Sequence, residues 1–437
     1  MIGKSRFMAK KAKKVAPKVK LKEWHKCRIS GEKLEPLFSL GNLHLSDFIE
    51  RHQEPFNAPV GLDLHLAPKS GLVQLAHTVP GDVMYRKYWY KSGTNATMTN
   101  ELAGIAKKVQ EVMKLEKGDI FLDIGCNDGT LLSFIDKQII RIGFDPNDFK
   151  IESIKHADII INNYFNYKEY KKTKFGNKKA KVITSIAMFY DLDDPNAFVK
   201  DIKNTLDKNG LWVIQMSYLP LMLKQLAFDN ICHEHLEYYS LQSVKYLLDR
   251  HEMEVVDCEL NDINGGSFRI YIRNKNAEKE SYATSPYRDV AKMRVESILS
   301  YEKTLNLNKK EVYLNFAKQI ESLKKQTVNF IKKEKKKGKV IWGYGASTKG
   351  NTLLQWFGLD NTTIDGIAER SPAKFGLKTA GSNIPIYSEE EMRKAKPDYL
   401  LVLPWHFIGE FKKREKDFLN KGGKLIMPCP KFEIISK

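Results

Sequence analysis

Residues 117 to 145 read KGDIFLDIGCNDGTLLSFIDKQIIRIGFD, and this stretch predicts the fold of the middle of the chain. It contains two apolar runs, Ile120 to Leu122 and Ile139 to Phe144, each followed by an aspartate, Asp123 and Asp145. A glycine loop separates the runs, and the apolar residues after it have helical spacing. We therefore expect a β-α-β unit of a doubly wound α/β sheet. Such sheets bind ligands at the carboxyl ends of their strands, where both aspartates lie.

The loop between the runs indicates which class of cofactor binds there. Gly125 and Gly129 are present, but Asn127 replaces the middle glycine of a dinucleotide fingerprint, and Asp128 beside it would repel a pyrophosphate. S-adenosylmethionine carries an ammonium and a sulfonium and no phosphate, so carboxylates suit it. A structural turn that binds nothing is the alternative. Asp145, at the position expected to hold a ribose, favours a cofactor site.

Further apolar runs predict the rest of this sheet. We expect a helix from about Glu101 to Leu115 and a second helix that starts at Asp193-Asp194-Pro195, ends near Leu206 and is closed by Asn209-Gly210. Additional strands are expected at residues 159–162, 182–188, 211–216, 253–259 and 267–272. Phe189, Tyr190 and Asp191 follow the strand at 182–188, so we expect them to line the cofactor site.

The last hundred residues predict a second, smaller Rossmann-like domain after a helical connector at about 283–337. Its strands are expected to start at Lys339 and to lie at residues 364–368, 399–403 and 424–427. The first strand leads into Lys349, Gly350 and Asn351, which lie where a helix should begin. The lysine, backbone N–H groups and the helix dipole can hold a phosphate there.

Composition limits the class of protein. A chain of 437 residues with 42% hydrophobic residues predicts two or three domains. The 72 basic and 53 acidic residues leave a net charge of +19, and nine of the first 26 residues are lysine. That tail is consistent with a nucleic-acid arm, a nuclear signal or a targeting peptide, but we favour a solvated, disordered tail. Nucleic acid is therefore not the expected partner.

Hydropathy and cysteine usage indicate the compartment. No run approaches the roughly 18 uninterrupted apolar residues of a membrane span, and the basic start has no apolar segment typical of a secretion signal. The five cysteines are scattered and odd in number, which fits the reducing cytoplasm rather than a disulfide framework.

The run ICHEHLEYYS at 231–240 carries the densest chemistry of the chain. His233 and His235 flank Glu234, and this is not the H-E-x-x-H pattern of a zinc helix, because two histidines two residues apart point away from each other on a helix. A polar loop with buried histidines is one interpretation. The position shortly after the strand at 211–216 favours acid-base chemistry.

Two other segments contain candidate site residues. The aromatic run at 85–90 includes Tyr88 and Tyr90, which we expect either in a core patch or over a substrate pocket. Asn264, Gly265, Gly266 and Ser267 lie between two predicted strands, where they predict a hairpin turn or a substrate loop.

Together these regions resemble the S-adenosylmethionine-dependent C-methyltransferases that act on nucleotide-linked deoxysugars. The resemblance covers the chain from about Trp24 onward. The motifs that carry it are LSDFI at 45–49, GLVQLAHTVP at 71–80, YWYKSG at 88–93, DIGCNDGTLL at 123–132, CHEHLEYYS at 232–240, NGGSFRIY at 264–271 and GYGASTKGNTLL at 343–354.

The resemblance implies a reaction and roles for residues. A base removes the proton at C3 of a 4-keto sugar, and C3 then takes the methyl group; alternatives are O- or N-methylation of another sugar or of RNA, and a non-catalytic sugar-nucleotide binder. It implies His235 as base, Glu234 orienting it, and His233 or Tyr90 at the keto oxygen. The cofactor residues are Asp123, Gly125, Asn127, Gly129, Asp145 and Phe189. The residues for a dTDP-like sugar nucleotide are Tyr88, Asn264, Gly265, Gly266, Ser267, Lys349, Gly350 and Asn351.

The resemblance also implies a domain order and the loss of a zinc site. The expected parts are a basic tail (1–22), a small N-terminal domain (23–95), a cofactor-binding domain (96–280), a helical connector (281–338) and a Rossmann-like domain that contributes to the sugar-nucleotide site (339–437). The small domain of the family holds zinc through two C-x-x-C pairs, which here read Cys27, Ser30, Ala67 and Ser70. Four donors are needed for structural zinc, so we expect none to bind.

Overall fold

The computed structural model describes residues 21–85, 89, 91–147, 154–283 and 287–437. Its N-terminal part is built of short antiparallel strands, in which apolar side chains alternate with polar ones: Leu62, Leu64 and Leu66 are buried along one strand and the residues between them are not. The strands are β1 (Lys22–Glu23), β2 (Glu35–Leu43), β3 (Phe48–Glu50), β4 (Val60–Ala67), β5 (Leu72–Leu75) and β6 (His77–Thr78).

In the described residues of the middle of the chain there are eight strands. They are β7 (Ile120–Ile124), β8 (Ile140–Phe144), β9 (Ile159–Ile161), β10 (Ala180–Ile186), β11 (Leu206–Ser217), β12 (Glu237–Tyr238), β13 (Met253–Asn261) and β14 (Ser267–Asn274). All except β12 form one sheet in the order β13-β14-β11-β10-β7-β8-β9. Strand β14 runs antiparallel to both neighbours, and β11, β10, β7, β8 and β9 are parallel. Every residue of β7 is buried, as a parallel strand covered on both faces requires.

The C-terminal part has its own sheet. Its strands are β15 (Ile341–Tyr344), β16 (Ile367–Glu369), β17 (Leu377–Thr379), β18 (Ile386–Ser388), β19 (Tyr399–Val402), β20 (Lys424–Met427) and β21 (Glu433–Ile435). All except β17 form one sheet in the order β18-β16-β15-β19-β20-β21, and only the β20–β21 pair is antiparallel. The α/β class with a second Rossmann-like unit is thus confirmed.

Helices cover and connect the sheets. They are α1 (Gly81–Tyr85), α2 (Ala96–Met113), α3 (Tyr167–Lys171), α4 (Pro195–Thr205), α5 (Leu219–Lys224), α6 (Leu241–Asp249), α7 (Tyr287–Leu305), α8 (Lys310–Lys336), α9 (Thr348–Phe357), α10 (Glu389–Ala395), α11 (Ile408–Arg414) and α12 (Lys416–Asn420). Helix α2 begins at the cap Asn95, whose side chain accepts hydrogen bonds from Thr97 N and Met98 N. Among the described residues, no helix combines the length and the apolar character needed to cross a membrane.

Two sequence predictions of secondary structure are wrong. The helix expected after Gly129 is only a 3₁₀ turn at Leu132–Phe134, because Asp136 N binds the Gln110 side chain of α2 and the chain turns back toward β8. The Asn209-Gly210 pair does not close a helix. Helix α4 ends at Thr205, and the pair lies in a bulge of β11, where the partners of β10 jump from Leu206 to Leu211.

Two strand pairings join parts of the chain that are far apart in sequence. Strand β12, which follows the two histidines, extends the N-terminal sheet beside β5, with Glu237 opposite Gln74 and Tyr238 opposite Val73. Strand β3 pairs with β17 of the C-terminal part. The domain boundaries expected from the sequence stay predictions, and these pairings show that the chain crosses them to complete its sheets.

Candidate active site

One cavity of about 990 Å³ lies at the carboxyl ends of β7, β8 and β10. All three parts of the chain form its walls: Phe48 and Val79 come from the N-terminal part, Asp123 from the central sheet, and Lys349 and His406 from the C-terminal part. Its volume is at the upper end of the range that small-molecule sites occupy. Because parallel strands present their carboxyl ends on one edge, the predicted cofactor and catalytic residues meet here.

The loop after β7 forms one wall of the cavity. Gly125 has φ +76°, a backbone conformation that favours glycine. Asp145 fixes the loop, since its two carboxylate oxygens accept hydrogen bonds from Asn127 N and Asn147 N at 2.8 Å each. An ionised carboxylate has about four acceptor positions, so Asp145 can accept further bonds from a ribose diol.

Asp123 lies on the same wall and is an unusual carboxyl group. Its Oδ1 accepts a hydrogen bond from Thr184 Oγ1 at 2.6 Å. Burial raises the pKa of Asp123 to about 7, and the neighbouring charge of Asp145 adds to this effect. Two adjacent carboxylates favour a cationic ligand, and the ammonium and sulfonium of S-adenosylmethionine fit that requirement.

His235 occupies another wall with one ring nitrogen engaged. Its Nδ1 lies 2.9 Å from the backbone oxygen of Asn230, and a carbonyl only accepts, so Nδ1 carries the proton. The lone pair is therefore on Nε2. Burial lowers the pKa of His235 to about 3, with a further contribution from the charge of Lys349, so the ring is neutral at physiological pH. This pKa is well below the value near 6.5 of an unperturbed histidine.

His233 and Glu234 play different parts in this segment. His233 lines the cavity and its Nε2 donates to Val60 O at 3.1 Å, while burial lowers its pKa to about 4. The carboxyl of Glu234 is buried outside the cavity walls, and its Oε2 has no hydrogen-bond partner among the described residues. Glu234 instead positions the chain, since its backbone oxygen accepts a hydrogen bond from Tyr85.

Two residues predicted for the cofactor site, Phe189 and Gly129, do not line the cavity. The prediction for Phe189 is therefore corrected. Its side chain is fully buried, with its ring 5.5 Å from Trp212, and its neighbours Met188 and Tyr190 line the cavity instead. Gly129 supports the loop by donating its N–H to Cys126 O. Neither residue forms part of the wall that a cofactor would touch.

Two predicted substrate segments, 264–267 and 349–351, each place one residue in the cavity. These residues are Asn264 and Lys349. A side chain at Gly265 would meet Trp405 at 3.1 Å, and one at Gly266 would meet Leu221 at 2.7 Å, so these glycines allow close packing. The other predicted substrate residues, Ser267, Gly350 and Asn351, form hydrogen bonds within the protein. Ser267 Oγ donates to Ile263 O, Gly350 N to Ser347 Oγ, and Asn351 Nδ2 to Asp47 O. Tyr88 and Tyr90 lie outside the described residues.

The structure adds wall residues that the sequence did not single out. His406 follows β19, and burial lowers its pKa to about 3. It lies three residues after the predicted strand at 399–403, so a search for polar residues near strand ends could have selected it. Asn230 binds both His235 and Lys349, and no motif in the sequence pointed to it.

The residues at the positions of the two C-x-x-C pairs, Cys27, Ser30, Ala67 and Ser70, do not fit zinc, because only Cys27 is a zinc donor. The thiol of Cys27 is buried and lies 3.4 Å from the hydroxyl of Ser70. Within the described part of the chain, no group of three or more His, Cys, Asp or Glu side chains could hold a metal ion. The absence of zinc stays a prediction, which elemental analysis of the purified protein tests.

The carboxylate of Glu32 links the turn that contains Ser30 to the turn that contains Ser70. Glu32 accepts hydrogen bonds from Lys69 N at 3.0 Å and Ser70 N at 3.0 Å on one turn, and from Ser30 Oγ at 2.9 Å on the other. Partial burial acts to raise the pKa of Glu32, but these hydrogen bonds outweigh it and hold the pKa below its usual value. The two turns are thus joined by hydrogen bonds to one charged group.

We expect Glu32→Gln to lower the free energy of unfolding of the N-terminal sheet by about 2 kcal/mol at neutral pH. Because the folded-state pKa is depressed, this contribution is complete above the unfolded pKa and is lost as pH falls through the folded pKa. Urea midpoints at pH 7 and pH 4 measure it. Glu35→Gln, on an exposed strand position, is the control; equal effects of both variants at pH 7 would contradict the prediction.

Comparisons with known proteins identify two domain families in the chain. Residues 97–257 match a methyltransferase domain, and residues 262–430 match the C-methyltransferase C-terminal domain. The chain is 28% identical over 384 residues to C-methyltransferase NovU of Streptomyces niveus, which covers 86% of this chain and 87% of that protein.

Solved structures resemble only part of the chain. The plantazolicin methyltransferase BpumL in complex with SAH matches with a TM-score of 0.31 and 17% identity, over 40% of this chain and 82% of its own. N-methyltransferase NodS from Bradyrhizobium japonicum WM9 matches with a TM-score of 0.31 and 11% identity, over 42% and 96%. The two adjacent domain matches, and the C-methyltransferase that is similar over most of the chain, show that the protein is a methyltransferase in which a methyltransferase domain is followed by a C-methyltransferase C-terminal domain.

Proposed function

We propose that the enzyme transfers the methyl group of S-adenosylmethionine to C3 of a nucleotide-linked 4-keto-deoxysugar, with a dTDP-like nucleotide. The observation that supports this proposal is that one cavity has both an acidic wall, with Asp123 and Asp145, and a neutral imidazole with a free nitrogen lone pair, that of His235. The first suits a cationic methyl donor, and the second suits removal of a proton from carbon.

Carbon methylation needs a base, because a C–H bond has no lone pair to attack a methyl group. A ketone acidifies the hydrogen on the adjacent carbon. His235 Nε2 takes that proton, the C–H electron pair moves toward the keto oxygen, and the carbon then forms its bond to the methyl group. The bound cofactor supplies the electrophilic methyl group. Phe48, Tyr190 and Leu236 line the cavity with apolar surface, which disfavours water beside the reacting carbon.

A matched pair of assays tests the reaction and its position. Purified enzyme is incubated with methyl-labelled cofactor and dTDP-4-keto-6-deoxyglucose or a panel of related keto sugars, and NMR identifies the methylated carbon. Label on C3 supports the full proposal. Label on C5 overturns the position, and label on oxygen or nitrogen overturns carbon methylation. No transfer to any sugar, with binding retained, favours a sugar-nucleotide binder, and salt-sensitive transfer to RNA favours an RNA enzyme.

We expect cofactor affinity to depend on the ionisation of Asp123. A cationic ligand binds the carboxylate, and the pKa of about 7 means that this form is lost as pH falls. The dissociation constant should therefore rise about tenfold per pH unit below pH 7 and reach a plateau above it. Calorimetric titration between pH 5 and 7.5 measures this dependence. Asp123→Asn should remove it and Asp128→Asn should keep it; the same pH dependence in both variants would contradict the assignment.

A further inference from the structure

Lys349 extends from the C-terminal part of the protein into the wall that holds the two histidines. It lies in the first turn of α9, where Ser347 caps the helix by accepting a hydrogen bond from Gly350 N at 3.0 Å. Its Nζ donates to Asn230 Oδ1 at 2.6 Å. This hydrogen bond joins the ammonium to the segment that carries the two histidines.

Asn230 connects this ammonium to the proposed base. Its side-chain oxygen accepts from Lys349, and its backbone oxygen accepts from His235 Nδ1. Asn230 is only 2% exposed and is held by its own bond from Nδ2 to Ala227 O. Lys349 and His235 therefore contact the same rigid residue and line the same cavity.

The carboxyl groups around Lys349 do not form ion pairs with it by hydrogen-bond contact. Asp229 Oδ2 accepts from Trp405 Nε1 at 3.0 Å, and the Oδ1 atoms of Asp229 and Asp191 have no hydrogen-bond partner among the described residues. Burial raises the pKa of both carboxyl groups, and the charge of Lys349 opposes this effect. The Nζ of Lys349 contacts the neutral amide of Asn230 rather than a carboxylate, so its charge is available for an anion formed in the cavity.

We propose that Lys349 is a catalytic residue whose ammonium stabilises the negative charge that develops on the keto oxygen of the substrate. This inference rests on the proposed function. As the C–H bond breaks, its proton passes to His235 Nε2 and its electron pair moves to the keto oxygen beside Lys349. The lysine keeps its proton. The pair returns when the new carbon–methyl bond forms and the donor's sulfur–methyl bond breaks.

Exchange of the substrate's α-proton with deuterated water isolates this step. The enzyme with bound S-adenosylhomocysteine cannot transfer a methyl group, so NMR of dTDP-4-keto-6-deoxyglucose reports only proton removal. Lys349→Gln, which keeps a donor for Asn230 without the charge, should slow exchange about 10² to 10³-fold at saturating sugar. Lys349→Arg should recover part of the rate. Lys394→Met, an exposed lysine on α10, is the control and should exchange like the wild type.

Binding of dTDP alone separates this role from phosphate binding. Stabilisation of the keto oxygen predicts that Lys349→Gln binds dTDP within about twofold of the wild type. A loss of dTDP affinity with unchanged exchange of the bound sugar would overturn the inference and assign Lys349 to the phosphates. Equal exchange by wild type and Lys349→Gln overturns the lysine's role alone, whereas no exchange by the wild type on any keto sugar overturns the proposed function.

Discussion

Replacing His235 by glutamine is expected to lower kcat for methyl transfer about 10³-fold, within the range that general-base catalysis contributes. Glutamine can still donate a hydrogen bond to Asn230 O, so the segment keeps its anchor. It has no basic nitrogen to replace Nε2. Cofactor affinity should change by less than about twofold, because Asp123 and Asp145 lie on another wall of the cavity.

The low pKa of His235 in the protein without ligands is consistent with a base. It keeps the ring neutral, and the negative charge that forms on the substrate during proton removal stabilises the imidazolium at that moment. Lys349 also lowers this pKa, and the proposed negative charge on the keto oxygen offsets the repulsion between the two cations.

Initial rates and calorimetric cofactor binding test the His235 prediction. His251→Gln serves as the control, since His251 is hydrogen-bonded to Asn196 Oδ1 and does not line the cavity. Equal loss of transfer and of cofactor affinity in His235→Gln would assign a structural role to the residue. If Asp191→Asn abolished α-proton exchange while His235→Gln retained it, Asp191 would be the base.

Replacing Arg28 by methionine is expected to lower the free energy of unfolding by about 3 to 5 kcal/mol, the cost typical of breaking a buried ion pair. Arg28 donates to Asp193 Oδ1 at 3.0 Å and to Thr78 Oγ1 at 2.7 Å, and its Nε lies 3.5 Å from Glu237 Oε1. Both side chains of the Arg28–Glu237 pair are 0% exposed. Removing Arg28 leaves the Glu237 charge buried without a partner.

The Arg28–Glu237 contact is an ion pair without a well-aligned hydrogen bond, since Arg28 Nε and both Glu237 oxygens have no hydrogen-bond partner among the described residues. Burial raises the pKa of Glu237, and Arg28 opposes this effect. Arg28→Met should therefore be most destabilising at high pH, where protonation of Glu237 is hardest.

Urea denaturation and peptide-resolved hydrogen exchange measure the loss. The double variant Arg28→Met with Glu237→Gln should recover much of the stability, because the unpaired charge is gone. Lys22→Met provides the comparison: Lys22 pairs with Asp193, and its side chain is 53% exposed, so we expect less than about 1 kcal/mol. Similar losses for Arg28→Met and Lys22→Met would show that the buried charge does not determine stability here.

The sequence predicted strands and strand ends, because these features depend on short-range patterns of apolar residues. Strand β7 and its aspartate followed from an apolar run, and β20 was predicted with the bounds that the structure has. The ends of strands also predicted that Asp123 and Asp145 share one wall. The helix after Gly129 was predicted wrongly because its spacing is helical, whereas a tertiary contact to Gln110 turns the chain.

Side-chain direction could not be predicted from motifs. Gly265, Gly266 and Asn351 belong to motifs that suggested ligand contacts. Instead, Gly265 packs against Trp405, Gly266 packs against Leu221, and Asn351 donates a hydrogen bond to Asp47 O. Phe189 follows a strand end as Asp145 does, but a large ring gains more from the aromatic core than from an open wall. Burial and long-range contacts, which decide these cases, are not visible in one sequence.

The pairing of β12 with β5 also limits how this protein can be divided. The segment with His233 and His235 is joined to the end of β11 by a hydrogen bond from Ser217 Oγ to Asn230 Oδ1, and to strand β5 of the N-terminal part by the pairing of β12. A fragment cut at the domain boundaries would keep the histidines but lose the template that aligns them. Gene fusions and domain exchanges must therefore keep residues 22–78 and 237–238 from the same protein, because these two stretches form one sheet.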